Sequence, residues 1–382
     1  MAENFVTGIQ PFHAMEILKH AKALEAKGKH ISYLLAGEPG APPAPSVIEA
    51  VRAVVDQPQR YTDSKGTMEL RRALSDAYAN WYGVSVDPHR FIITMGSSSG
   101  FLVGFHAAFE KGATIALTRP NYPAYLNTMI GLGYQALEIP VTAQNGWRLT
   151  ADDVIAAHDK QPFDGLLLAS PANPTGAIVG RDELKRIVDV CNERHIRFIS
   201  DEIYHGLSYA EPCASALEFG DDAIVVNSFS KYYCMTGWRI GWMVLPEDLV
   251  RKAEILQQNF FVSASSLAQT AGLAALQALD YCEAQKALYA ENRDILTQAL
   301  KSMGFEGIGD LDGAFYAYAN ISKFSNDSMD FCKRLLNQAG VAATPGIDFD
   351  RQNGNRFVRF SYAGDKAMIN DALARINAFV NA

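Results

Sequence analysis

The chain has no excess of positive charge: 34 lysines and arginines stand against 42 aspartates and glutamates, a net charge of −8. A phosphate-backbone partner wants a basic face, so no nucleic acid is expected. Cysteine is scarce. Cys191, Cys213, Cys234, Cys282 and Cys332 are odd in number, widely spaced and form no CxxC pair. That pattern fits reduced thiols in a cytoplasmic protein better than a disulfide framework or a zinc site. The eight histidines show no HExxH or comparable spacing, so no metal site is expected. No stretch approaches eighteen unbroken apolar residues, and the N-terminal residues lack the apolar run of a signal peptide. A membrane association is therefore not expected. Internal repeats and low-complexity segments are missing too.

The 382 residues exceed one small core and suit a large domain with a smaller one. Short apolar runs alternate with longer helical patterns, the rhythm of an α/β protein. Strands are expected at 91–94, 114–117, 165–169, 197–200, 223–226 and 239–244. Each is apolar on both faces, as in a mostly parallel central sheet covered by helices. A helix is expected over 184–193, and Thr150 with Asp153 forms a capping signature for another. One long helix is expected over 266–302, then strands at 314–319 and 356–361 with helices starting at Ser328 and Lys366. The Pro- and Gly-rich stretch 34–45 breaks any helix and marks a crossing between domains. The expected division is a large domain over 46–282 and a smaller α+β domain built from 1–45 with 283–382.

Four turns between these elements carry chemistry-bearing residues. Gly96-Ser97-Ser98-Ser99-Gly100 joins a strand to a helix, where free backbone N–H groups and hydroxyls favour a phosphate. A plain N-cap accounts for it equally well. Ser170-Pro171-Ala172-Asn173-Pro174-Thr175-Gly176 is a forced turn whose Asn amide falls at the carboxyl end of a strand, where open α/β sheets bind ligands. Asp201-Glu202-Ile203-Tyr204 follows another strand, and a lone Asp there is most often a helix cap. The most specific cluster is Ser228-Phe229-Ser230-Lys231, with Arg239 eight residues on between Trp238 and Ile240. A buried arginine there needs an anion, and a phosphate fits.

In order and spacing these residues resemble the class I/II aminotransferases, fold-type I enzymes that use pyridoxal 5'-phosphate (PLP). The resemblance covers nearly the whole chain. It adds Gly37-Glu38-Pro39, Tyr61 with Gly66, Glu69-Leu70-Arg71, Pro120-Asn121-Tyr122-Pro123, Pro345-Gly346 and Val358-Arg359-Phe360-Ser361-Tyr362. The resemblance implies that Lys231 condenses with the cofactor aldehyde and then shuttles a proton as general base and acid. Asp201 would keep the pyridine nitrogen protonated, Asn173 and Tyr204 would hydrogen-bond the phenolic oxygen, and Tyr122 would stack on the ring. Ser97, Ser98, Ser99, Ser228 and Arg239 would hold the phosphate. Arg359 would fork the substrate α-carboxylate beside Gly37. Tyr61 would reach the phosphate of a neighbouring subunit, implying a homodimer with shared active sites.

The implied reaction is ping-pong transfer of an amino group from an L-amino acid to a 2-oxo acid. In some aspartate-preferring relatives a lysine stands at the position aligned with Ser99, and its absence weakens, without excluding, recognition of a second carboxylate by that route. Phe12 and Trp147 would line an apolar or aromatic side-chain pocket, although core packing accounts for such aromatics more often. A carbon–sulfur β-lyase acting on conjugates such as cystathionine would keep every cofactor residue. A non-catalytic PLP-binding regulator would need a DNA-binding domain for which the chain has no spare length. A nucleotide-dependent α/β enzyme would leave Lys231, Asp201 and Arg359 unexplained.

Overall fold

The computed structural model describes residues 8–35 and 37–382. In chain order the strands are β1 (Ser32–Tyr33), β2 (Phe91–Thr94), β3 (Thr114–Arg119), β4 (Gln135–Pro140), β5 (Gly165–Ala169) and β6 (Arg197–Asp201). They continue with β7 (Ile224–Ser228), β8 (Gly241–Val244), β9 (Tyr316–Asn320), β10 (Val341–Ala342), β11 (Thr344–Pro345) and β12 (Phe357–Ser361). Strands β2 to β8 form one sheet in the order β2-β8-β7-β6-β5-β3-β4. β8 is antiparallel to both neighbours, and the other pairs are parallel. The α/β class and the helix-covered sheet read from the sequence are what the fold shows.

Alternation within each strand explains why both faces must be apolar. Leu166 and Leu168 of β5 join one core cluster with Phe198 and Val225, whereas Leu167 joins the other with Ile199, Ile224 and Val226. The helix Arg181–Glu193 covers the first face through Leu184, Ile187 and Val188. The helices Ser97–Ala108 and Glu247–Phe260 cover the second through Phe105, Leu249 and Val250. Burying one such side chain contributes about 1.5–3 kcal/mol, so the two-sided pattern dominates the stability of the sheet.

Three local departures from the sequence reading have physical causes. β4 escapes the pattern because it is an edge strand, with Gln135 exposed and Glu138 half-buried. The strand expected at 239–244 begins at Gly241, because Arg239 takes a left-handed conformation (φ 53°) after a 3₁₀ turn over Thr236–Trp238. The helix expected over 266–302 is two helices, Ser266–Ala275 and Leu279–Met303, and neither proline nor glycine marks the break at Ala278 (φ −107°, ψ 35°).

The C-terminal strands form a second, antiparallel sheet in the order β11-β12-β9. β1 pairs in parallel with β10, and Ser361 N–H donates to Leu34 O, so the segment before the Pro-rich break lies against the C-terminal strands. Among the described residues no helix is long and apolar enough to cross a membrane.

Candidate active site

Parallel order puts the carboxyl ends of β2, β3, β5, β6 and β7 along one edge of the sheet. Because β8 is antiparallel, its start falls on that same edge, with Gly241 opposite both Ser228 and Thr94. The loops after β2, β3, β5, β6 and β7 and before β8 therefore converge, the usual ligand position for an open α/β sheet. A cavity of about 640 Å³ opens there, and Ser97, Ser98, Tyr122, Asn173, Asp201, Tyr204, Lys231, Arg239, Gly37 and Arg359 all line it.

One end of this cavity is built for an anion. The helix Ser97–Ala108 starts with no side-chain cap, so its first amides are unclaimed by any side chain. Arg239 lies across this start: a Cβ on Gly96 (φ +75°) would sit 2.6 Å from Arg239 Nη2, so glycine is required. Arg239 is exposed and not buried; it donates to Thr236 O at 3.0 Å and has no carboxylate partner among the described residues. Its left-handed backbone costs on the order of 1–2 kcal/mol, a cost that persists where the surrounding loop enforces it.

Lys231 and Asp201 occupy the middle. Lys231 Nζ donates to Gly37 O at 2.6 Å. Burial, then the positive charges of Arg359 and Arg239, hold its amine down at about 8. Burial pushes Asp201 up to about 6, against hydrogen bonds from Tyr125 and from Ile203 N–H (3.1 Å). Each of the two groups feels the other's charge. Tyr204 Oη lies 2.8 Å from Tyr316 Oη.

Arg359 sits at the other end, in the middle strand of the second sheet and 2% exposed. Nη1 donates to Asn173 Oδ1 (2.8 Å), and Nη2 to Leu35 O (2.8 Å) and Thr344 Oγ1 (3.2 Å). The guanidinium lies between the rings of Tyr316 (4.3 Å) and Phe349 (4.8 Å). Nε is buried with no hydrogen-bond partner among the described residues, and a buried guanidinium that lines a cavity with no carboxylate beside it among those residues is a seat for one. Gly37 packs beside it, where a Cβ would sit 2.7 Å from Tyr316 Oη.

A family model for aminotransferases of class I and II matches residues 32–376. The chain belongs to that family. Valine–pyruvate aminotransferase of Mycobacterium tuberculosis is 39% identical to it, over 98% of this chain and 97% of the relative. Aspartate aminotransferase of Thermotoga maritima is 30% identical over 100% of each chain. Among solved structures, an aminotransferase from Mycobacterium tuberculosis has a TM-score of 0.95 at 38% identity, covering 100% of this chain and 99% of the other. Aspartate aminotransferase from Thermus thermophilus with maleate has a TM-score of 0.91 at 28% identity, covering 98% of each. The protein is thus an aminotransferase, and none of these relatives is a carbon–sulfur lyase.

The family uses PLP, and the aminotransferase's cavity suits that cofactor. Three cations (Lys231, Arg239, Arg359) line it against two carboxylates (Asp201, Glu38), leaving positive charge for a phosphate. The uncapped helix and the uncommitted Arg239 face the phosphate end.

Some expected residues lie elsewhere. Ser99 does not line the aminotransferase's cavity; its Oγ accepts from Met95 N–H (2.8 Å) and lies 3.2 Å from Gly96 O, closing the turn. Ser228 is buried behind the loop, 2.9 Å from Ile240 O and 2.8 Å from Ser230 Oγ, and Ser230 lines the cavity instead. Trp147 is not a pocket residue: its indole packs on Tyr318 and Phe357 and donates to Gly307 O (3.1 Å). Phe12 does line the cavity, edge-on to Tyr122 at 6.3 Å. Tyr61 is 84% exposed and outside the cavity. Tyr125 and Tyr316 were not singled out from sequence, and Glu38 entered only as part of the Gly37-Glu38-Pro39 signature, with no role of its own. Tyr125 had a usable signal, since it stands in the first turn of the helix that Tyr122 opens, and the two rings meet edge-on at 5.3 Å.

Proposed function

We propose that this aminotransferase holds PLP across the carboxyl edge of its sheet and takes its amino group from an L-amino acid with an apolar side chain. One observation carries the donor class. One wall of the cavity is Phe12, Ala14, Met15 and Leu18, and among the described residues its lining offers no cation beyond Lys231, Arg239 and Arg359. With those three committed to cofactor and α-carboxylate, this chain leaves a second substrate carboxylate without a charged partner of its own, which is costly where the carboxylate is buried. The name of the 39% identical relative, valine–pyruvate aminotransferase, supports the same reading.

Bound PLP would supply an aldehyde to capture amines and a protonated ring to accept the electron pair released at the substrate Cα. Ser97, Ser98, Ser230 and Arg239 would hold its phosphate, and Tyr122 would cover the ring. Asp201, ionised above about pH 6, would hold the ring-nitrogen proton. Tyr204 would donate to the phenolic oxygen, steadied by Tyr316. Arg359 would grip the α-carboxylate, with Asn173 fixing the fork's orientation. Lys231, whose amine loses its proton near pH 8, would take the proton from Cα once the donor's nitrogen has replaced it.

The exposure of Tyr61 supports a homodimer in which it serves the partner's phosphate. The five free, buried cysteines support a reducing, cytoplasmic setting. We also place the domain division at 46–282 against 1–45 with 283–382.

The test is a spectrophotometric half-reaction screen of the PLP-loaded enzyme over twenty amino acids. Valine, leucine and their like should exceed aspartate and glutamate by about tenfold or more in kcat/KM, since each 1.4 kcal/mol of unpaired-carboxylate cost gives a factor of ten. Preference for the dicarboxylates overturns the apolar assignment. Pyruvate release from cystathionine without oxo-acid formation from other donors overturns amino transfer itself.

A further inference from the structure

The apolar wall is not held by its own sequence. Phe12, Ala14 and Met15 belong to the start of the helix His13–Glu25, with Leu18 one turn on, and the cap residue Phe12 offers no side-chain hydrogen bond. Helix starts leave backbone N–H groups without partners, and here they are satisfied from the far end of the chain. Asp348 Oδ1 accepts from His13 N–H and Asp348 Oδ2 from Ala14 N–H, both at 2.9 Å. A carboxylate bridging two amides at the positive end of a helix is a strong, directional anchor.

The residues beside Asp348 are anchored to the rest of the site. Phe349 stacks on the Arg359 guanidinium, and its carbonyl accepts from Asn121 N–H (3.0 Å), next to Tyr122. Asp350 pairs with Arg119 at the end of β3 (3.5 Å). One short turn thus sets the helix start, the carboxylate fork and the loop of Tyr122 relative to each other. Ala14, Ile17, Ala21 and Leu24 are buried in the core, whereas Phe12 is half-buried and Met15 exposed, so the part of the wall that leans on Asp348 is the helix start with Phe12 and Met15.

We propose that Asp348 is the positioning residue for side-chain selectivity: its carboxylate fixes the apolar wall at a set distance from Arg359. It touches neither substrate nor cofactor and acts through the helix start. The inference rests on the apolar-donor reading above and adds the group that makes the wall rigid.

The experiment compares wild type, Asp348→Ala and Asp348→Asn as PLP-loaded full chains. The readout is the ratio of kcat/KM for leucine to that for alanine, whose methyl group scarcely reaches the wall. The ratio should fall about 3- to 13-fold in Asp348→Ala, as for losing roughly half of a leucine side chain's burial. Asp348→Asn keeps one acceptor and should fall between. Hydrogen–deuterium exchange should quicken in the peptide spanning residues 10–18 and stay unchanged around Arg359. Phe12→Ala, which removes wall but not anchor, should lower the ratio and leave that exchange unchanged. An undiminished ratio in both Asp348 variants, or a ratio that falls with no change in exchange, overturns the role of Asp348. If Asp348→Ala does not fold, Asp348→Asn alone decides by the same two readouts. A wild type that prefers aspartate to leucine overturns the donor reading instead, and the two failures are told apart.

Discussion

Replacing Arg359 by lysine keeps the charge and removes the geometry. The guanidinium spends one Nη on Asn173 and the other on Leu35 O and Thr344, and it is sandwiched between Tyr316 and Phe349. An ammonium has no planar face to stack and no fixed pair of parallel donors. A carboxylate held by two charge-assisted hydrogen bonds would keep one, losing about 1.5–3 kcal/mol, or roughly 10- to 150-fold in kcat/KM. The measurement is single-turnover kinetics with an amino acid and with its decarboxylated amine on wild type and Arg359→Lys. The loss should fall on the amino acid and nearly spare the amine. Equal losses on both, or full activity with the amino acid, would refute the carboxylate role.

Three other outcomes follow from the charges at the sheet edge. In apoprotein, Asp201→Asn should raise the thermal midpoint at pH 7 but not at pH 4. The wild-type carboxyl binds its proton more tightly folded (about 6) than unfolded, so its contribution to stability falls as pH rises between about 4 and 6. The difference is at most about 3 kcal/mol, and the same variant should bind PLP more weakly. A thermal melt series across pH checks the first point and a PLP titration the second. The rate of PLP capture by apoprotein should rise with pH and level off above about 8, because burial and two arginines lower the Lys231 amine; stopped-flow absorbance would show a rise continuing past 10 if the lysine were ordinary. Tyr125→Phe removes a hydrogen bond that favours ionised Asp201, so the acid limb of kcat/KM against pH should move up by about 1–2 units, and an unmoved limb would deny Tyr125 that role.

Much of this architecture was legible because strands buried on both faces leave a two-sided apolar signature, as Gly165–Ala169 and Phe91–Thr94 do. β4 lacks that signature because an edge strand keeps Gln135 in water. Lys231, Asn173, Asp201 and Arg239 drew notice at the ends of apolar strands, whereas the roles of all four, and Arg359 altogether, came from the family resemblance. Tyr316 and Asp348 did not, since their meaning comes only from partners far along the chain: Tyr204 at 112 residues and His13 at 335. Ser99 and Trp147 show the opposite failure. Each has a suitable side chain in a suitable stretch, and a local turn or an aromatic core claims it.

The most direct test concerns the amine at position 231. PLP-loaded enzyme reduced with borohydride, digested and mapped by mass spectrometry should carry the cofactor on Lys231, and Lys231→Ala should carry none and show essentially no turnover. A cofactor fixed to a different lysine, or full turnover without Lys231, would contradict the account.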